Sequence, residues 1–202
     1  MGGRGQGAST FPDANEEKMT VIGQGWSLGL NDNEYKNTRD YTGSDYIEMN
    51  KFLRRGIVPS YETKESLTDK TDSIADGLSR FQLPRNITVY RGADGRSLFG
   101  TSLDGVNVSN FNAMFKGAIL QDKGFASASI RKGRQFPKNV VYEIRVPKGK
   151  GRGAYVAPIS NHETEKEFLI QRDSYYKING ARMENGEMVI TMTIIPPPSK
   201  EN

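Results

Sequence analysis

Three short segments carry the residues that could do chemistry. The 202-residue chain has no cysteine and one histidine, His162. Disulfide frameworks, cysteine nucleophiles and Cys/His zinc sites are therefore excluded. A Ser-His-Asp triad would have to use His162, which sits in a polar, loop-like stretch. What remains is carboxylates, hydroxyls, arginines and backbone groups.

The first segment, Val89-Tyr90-Arg91-Gly92, sets an arginine at the end of an apolar run. A planar, permanently charged fork in that place can grip two phosphate oxygens, although a plain strand-end ion pair reads the same way. The second is Gly124-Phe125-Ala126-Ser127-Ala128-Ser129. Alternation puts Ser127 and Ser129 on one face with Phe125, where inward hydroxyls need a partner such as a carboxylate; a polar strand edge is the plainer alternative. The third is Glu163-Thr164-Glu165-Lys166-Glu167, running into Phe168-Leu169-Ile170. Alternation puts Glu165 and Glu167 on one face, where like charges are unfavourable unless a cation or a cationic transition state lies between them. A solvated strand entry is the competing reading.

The positioning elements follow from periodicity. Tyr46, Met49, Asn50 and Leu53 share one face of a helix that ends before Gly56. Leu67, Ile74, Leu78 and Phe81 form a second stripe before Pro84, and Phe111, Met114, Phe115 and Ala118 a shorter third. Beyond Pro84 the pattern turns to strands: residues 86–90, stopping at Arg91-Gly92, then 140–146, 168–170, 175–178 and 188–194. Asn179-Gly180 and Asn185-Gly186 have turn chemistry. Helices first and strands after predict an α+β domain over residues 16–197, with residues 1–15 as a flexible lead-in.

Taken together and in order, the segments resemble the arginine–serine–glutamate class of mono-ADP-ribosyltransferases, which includes actin-modifying binary toxins, Rho-modifying exoenzymes and arginine-specific transferases. Arg91 matches the arginine, Ser127-Ala128-Ser129 the Ser-Thr-Ser and Glu165-Lys166-Glu167 the Glu-x-Glu before an apolar strand. Tyr41-Thr42 through Tyr46, Asn50 and Leu53-Arg54 are similar to the family's early helix. The run from Leu83 to Gly92 and Gly153-Ala154-Tyr155-Val156 extend the likeness over about residues 38 to 195. Ala128 replaces the middle threonine, and residues 158–164 lack an exposed aromatic, with Asn161 or His162 in its place.

The resemblance implies a mixed or antiparallel β-sandwich core with flanking helices and NAD⁺ held between the sheets. It makes NAD⁺ a co-substrate and requires no metal. Glu167 would stabilise the oxocarbenium-like transition state, Ser127 would hold Glu167, and Glu165 would serve an acceptor, with arginine favoured over asparagine because the residue is glutamate and not glutamine. Arg91 would bind the phosphate and ribose region, and the Gly92 backbone the nicotinamide amide. Tyr41, Tyr46, Asn50, Arg96 and Gly124 would line the pocket, and Phe136 would cover the nicotinamide ring. Arg131, Arg134 and Lys138 would help hold phosphates. The implied partner is a target protein, as for a bacterial or phage toxin.

Composition bounds the alternatives. A net charge of +4 with basic runs at 131–134 and 148–152 reads most plainly as a solvated basic face, and more sharply as attraction to a phosphate-bearing ligand. No aromatic residue interleaves the 148–153 run, which argues against a single-stranded nucleic-acid platform. An NAD⁺ glycohydrolase, with water as acceptor, is the other alternative, and Glu165 argues against it as the main activity. No apolar run approaches the roughly 20 residues of a membrane helix, and the start lacks the apolar core of a secretory signal. The expected setting is therefore cytosolic, or delivery into a target cell.

Overall fold

The computed structural model describes residues 10–133, 138 and 140–199. Four helices come first: α1 Glu16–Ser27, α2 Asp32–Asp40, α3 Tyr46–Arg55 and α4 Lys64–Ser79, with a π-helical turn, Tyr41–Asp45, between α2 and α3. Their ends are written in the sequence. Asn15, Asn31 and Thr63 cap α1, α2 and α4 through their side chains, and Gly56 closes α3 in the left-handed region at φ 69°. At Asn31 the capping box is complete, because Glu34 reaches back to the cap backbone.

Ten strands follow: β1 Gln82–Leu83, β2 Ile87–Ala93, β3 Ile119–Asp122, β4 Ala126–Ser129, β5 Val140–Val146, β6 Gly149–Lys150, β7 Gly153–Tyr155, β8 Glu167–Ile170, β9 Ser174–Glu184 and β10 Glu187–Ile195. Short helices α5 Arg96–Phe99 and α6 Val108–Phe115 interrupt them. Eight strands form one mixed sheet in the order β3-β9-β10-β5-β2-β4-β8-β7, and β1 and β6 pair separately. Only the β10–β5 pairing is parallel among the described strands. A single residue pair, Tyr90↔Ser129, joins β2 to β4. A five-stranded and a three-stranded lobe therefore meet at one point, while Val89 and Ile144 of one and Phe168 and Leu169 of the other share a buried core with Met49, Ile74 and Leu78 of the helices. The α+β class and the flanking helices are as expected, and the strands expected as a sandwich hydrogen-bond as one eight-stranded mixed sheet.

Four local expectations need correction. β2 runs through Arg91 and Gly92 to Ala93, so Arg91 lies inside a strand and not at its end. Asn179-Gly180 is not a turn, because β9 passes through it. Thr191 pairs with Gly180 and Met192 with Ile178, so Asn179 is the extra residue of a bulge. Asn112 of α6 stitches that bulge, accepting from the Ala181 amide at 2.7 Å and donating to its carbonyl at 3.2 Å. Asn185-Gly186 does turn the chain, with φ of 50° and 80° as a two-residue hairpin needs. Residues 10–15 are not a loose lead-in: the Thr88 amide donates to the Pro12 carbonyl at 2.9 Å and the Tyr90 hydroxyl to Asp13 at 2.5 Å. Met114 leaves the expected α6 stripe, at 58% exposure, because Phe111 and Phe115 already fill the contact with Phe99.

Candidate active site

β4 brings the three segments together. It touches β2 at Tyr90↔Ser129 and pairs with β8 from Ala126↔Ile170 to Ser129↔Glu167. Arg91, one residue past the junction, donates from Nη1 to the Ser127 carbonyl at 2.7 Å. Among the described residues, this is the hydrogen bond that the guanidinium makes.

Glu167 opens β8 and is 3% exposed, and its Oε1 has no partner among the described residues. Burial pushes its pKa up to about 7; the Ser127 hydroxyl and the Arg91 charge pull the other way, and the Glu165 charge adds to the rise. A buried carboxylate with one orphaned oxygen beside a cationic fork can receive a positive centre with hydroxyl donors around it.

Glu165 is not on the strand. Glu163–Glu165 form a 3₁₀ turn, and Lys166 follows in the left-handed region at φ 52°, ψ 50°. The simple alternation expected for Glu165 and Glu167 therefore fails: a kink separates them, and Glu165 is half-buried. Ser129 serves that turn. Its hydroxyl donates to the Glu165 carbonyl at 2.9 Å and accepts from the Arg131 amide at 3.2 Å. The expected pairing of both serines with Phe125 on one strand face is also incomplete, since Phe125 precedes β4.

Beneath the site lies a hydrogen-bonded floor. Asn50 accepts from the Phe125 amide at 3.0 Å and donates to the Tyr41 hydroxyl at 2.9 Å, and both side chains are buried. Arg54, one turn further along α3, grips Asp122 with two bonds at 2.8 and 2.9 Å and the Phe125 carbonyl at 3.0 Å. Gly124 is pressed between them: a Cβ there would meet Arg54 Nε and Asn50 Oδ1, each at 2.7 Å. Burial raises the Tyr41 pKa well above its usual value, and the Glu167 charge adds to it. Tyr41 and Asn50, both buried, and Gly124, which leaves no room for a Cβ, are joined in this floor. Sequence reasoning did not single out the Arg54–Asp122 pair, although Arg54 lies four residues after Asn50 on one helical face.

The other expected residues differ in exposure and partners. Tyr46 is 44% exposed, with its ring 6.2 Å from that of Tyr41. Gly92 lies on β2. Arg96 is exposed and paired with Asp94 at 2.8 Å. Arg131 pairs with Glu16, and Lys138 is exposed. Arg134 and Phe136 lie outside the described residues.

The architecture belongs to a class of toxin folds already known from solved structures. Plx2a, an ADP-ribosyltransferase toxin from Paenibacillus larvae, is 26% identical, with a TM-score of 0.76 over 90% of this chain and 96% of that one. The Clostridium limosum C3 exoenzyme shares the fold at 22% identity, with a TM-score of 0.77 over 94% of this chain and 99% of that one. The ADP-ribosyltransferase exoenzyme family model matches residues 20–195, and the chain belongs to that family. Among curated relatives, the NAD(+)–arginine ADP-ribosyltransferase EFV of Enterococcus faecalis is 29% identical over 183 residues, 83% of this chain. The chain spans only 34% of that relative's length. The mono-ADP-ribosyltransferase C3 of Clostridium botulinum D phage is 25% identical over 201 residues, covering 92% of this chain and 78% of that protein.

Proposed function

We propose that this chain is a mono-ADP-ribosyltransferase that cleaves NAD⁺ at its nicotinamide–ribose bond and transfers ADP-ribose to an arginine of a target protein. The observation that carries the reading is Glu167, buried, with an orphaned carboxylate oxygen, next to Ser127 and Arg91. As nicotinamide leaves with the bonding electron pair, positive charge develops on the ribose. A carboxylate already in place stabilises it without reorganising. Ser127 holds that carboxylate, and the Arg91 guanidinium takes the phosphate and ribose region of NAD⁺. The Gly92 backbone meets the nicotinamide amide, and Tyr46 stands at the rim.

Glu165 has the second role. A protonated guanidinium is a poor nucleophile, and a carboxylate on the turn beside the reacting ribose can orient it and take its proton. The arginine acceptor is supported by a glutamate at this position and by the name of the Enterococcus relative. Hydrolysis by water is the slow side reaction of the same intermediate.

Incubating a lysate with labelled NAD⁺ and mapping the adducts by mass spectrometry tests the transfer, with ADP-ribosyl-arginine as the expected product. Calorimetry on Arg91→Lys and Arg91→Ala tests the cofactor grip. Lys keeps the charge but loses the fork, so NAD⁺ affinity falls in both variants. Unchanged affinity removes Arg91 from the site.

A further inference from the structure

Lys166 stands between the two glutamates and takes a backbone conformation that side-chain-bearing residues seldom adopt, φ 52° and ψ 50°. Its backbone is held from one side, since the Ile130 amide donates to its carbonyl at 3.0 Å. Its ammonium is held from the other, 3.3 Å from Glu16 Oε1. The second oxygen of Glu16 pairs with Arg131, which follows β4. Burial would raise the Glu16 pKa, but the Lys166 and Arg131 partners outweigh it and hold the carboxyl below its usual range.

Glu16 is itself well anchored. It begins α1, whose first turn Asn15 caps by accepting from the Lys18 amide at 3.0 Å. Along the same helix, Gly23 is so close to β7 that a Cβ would stand 2.7 Å from the Tyr155 carbonyl. β7 pairs with β8, the strand that carries Glu167. Helix α1 and Glu167 therefore share one rigid frame, and the Glu165 turn is tied to that frame at several points. The backbone ties are the Ser129 hydroxyl on the Glu165 carbonyl and the Ile130 amide on the Lys166 carbonyl, and the side-chain tie is the Lys166–Glu16 pair.

We propose that Lys166 and Glu16 are positioning residues that fix Glu165 at its working distance from Glu167 and so set the balance between transfer to an acceptor and loss to water. This rests on the reading of Glu165 as the acceptor carboxylate. A partly exposed ion pair contributes little to stability. Its effect here is on where one carboxylate sits, and small displacements of a positioned group cost rate steeply.

The test measures two rates in each variant: transfer to agmatine, a small guanidine, and nicotinamide release without agmatine. Lys166→Met and Glu16→Gln are each expected to lower transfer by about tenfold while hydrolysis stays within about twofold. Lys166→Arg restores the tie and the wild-type ratio. The double variant Glu16→Gln/Lys166→Met falls no further than either single one, as expected for two partners in one interaction. KM for agmatine rises while KM for NAD⁺ does not move. An unchanged ratio of transfer to hydrolysis in folded Lys166→Met, with an active wild type, overturns the inference alone. A wild type that hydrolyses NAD⁺ but never modifies agmatine overturns the arginine reading and this inference with it. If Glu16→Gln does not fold, Lys166→Met and Lys166→Arg decide the matter without it.

Discussion

Two glutamates two residues apart are held in opposite ways. Glu167 is the first residue of a strand paired on both sides and is almost wholly closed from solvent. Glu165 sits on a one-turn 3₁₀ segment, half-buried, tethered through its carbonyl and through its neighbour. Burial raises the pKa of Glu167, whereas Glu165 acts on it as a nearby like charge. A charge-stabilising group gains from a dry, rigid setting, because its field is then strong and pre-aligned. A group that must meet an incoming side chain needs access. Nearness in sequence is thus compatible with two separate tasks, and the variants below test how separate they are.

The largest effect is expected from Glu167→Gln. It keeps the shape and removes the charge, so nicotinamide release and transfer both fall by about 10² to 10³. Full activity would mean that the strand-held carboxylate does no electrostatic work. Next, Glu165→Gln is expected to lower transfer to agmatine by about 10², the scale of a lost general base, while much of the hydrolysis survives. Equal loss of both activities, with circular dichroism unchanged, would erase the division of labour.

A third effect is on stability. Because the Glu167 pKa is raised in the folded state, the native protein holds its proton more tightly than the unfolded chain does. Below about pH 4.5 the group is neutral in both states and costs nothing. As pH rises to about 7 the ionised form is increasingly penalised, by about 3 kcal/mol at the limit. Glu167→Gln is therefore expected to be more stable than wild type at pH 8, and no more stable at pH 4, in denaturant titrations. The smallest effect concerns the pair directly. kcat/KM for hydrolysis should rise with pH through about 7 as Glu167 ionises in the free enzyme. Glu165→Gln removes a like charge, so the inflection should move lower. A pH profile that does not move would show that the two carboxylates do not sense each other.

The site was more legible than its support. Arg91 and Glu167 sit on strands with strong β-formers and Ser127 on the Ala-Ser alternation of β4, but each segment read ambiguously alone, and the resemblance to the transferase family over all three in order singled them out. The kink at Lys166 was not legible, because nothing in Glu-Lys-Glu signals a left-handed lysine. That geometry comes from long-range ties to Ile130 and Glu16. The bulge at Asn179 misled for a related reason. Asn-Gly favours positive φ whether the chain turns or bulges, and it is Asn112, far away in sequence, that decides between them. The end of α3 at Gly56 was read, since a left-handed glycine acts locally, while the caps Asn15, Asn31 and Thr63 were not singled out, and the Arg54–Asp122 grip joins partners 68 residues apart and leaves no periodic trace.

The lone Tyr90↔Ser129 junction also has a consequence in time. The β9–β10 hairpin closes over a two-residue turn and can form early, whereas Arg91 meets Ser127 across 36 residues and Ser129 meets Glu165 across another 36. Loops of that size close slowly, and a single pair gives little return until both lobes are built. During refolding, burial of Trp26, whose indole donates to the Gly77 carbonyl at 2.9 Å between helices, is therefore expected to precede the return of NAD⁺ cleavage. The helices would already be in order while the chain was still catalytically silent, so enzymatic activity would report the closing of the final joint between the lobes.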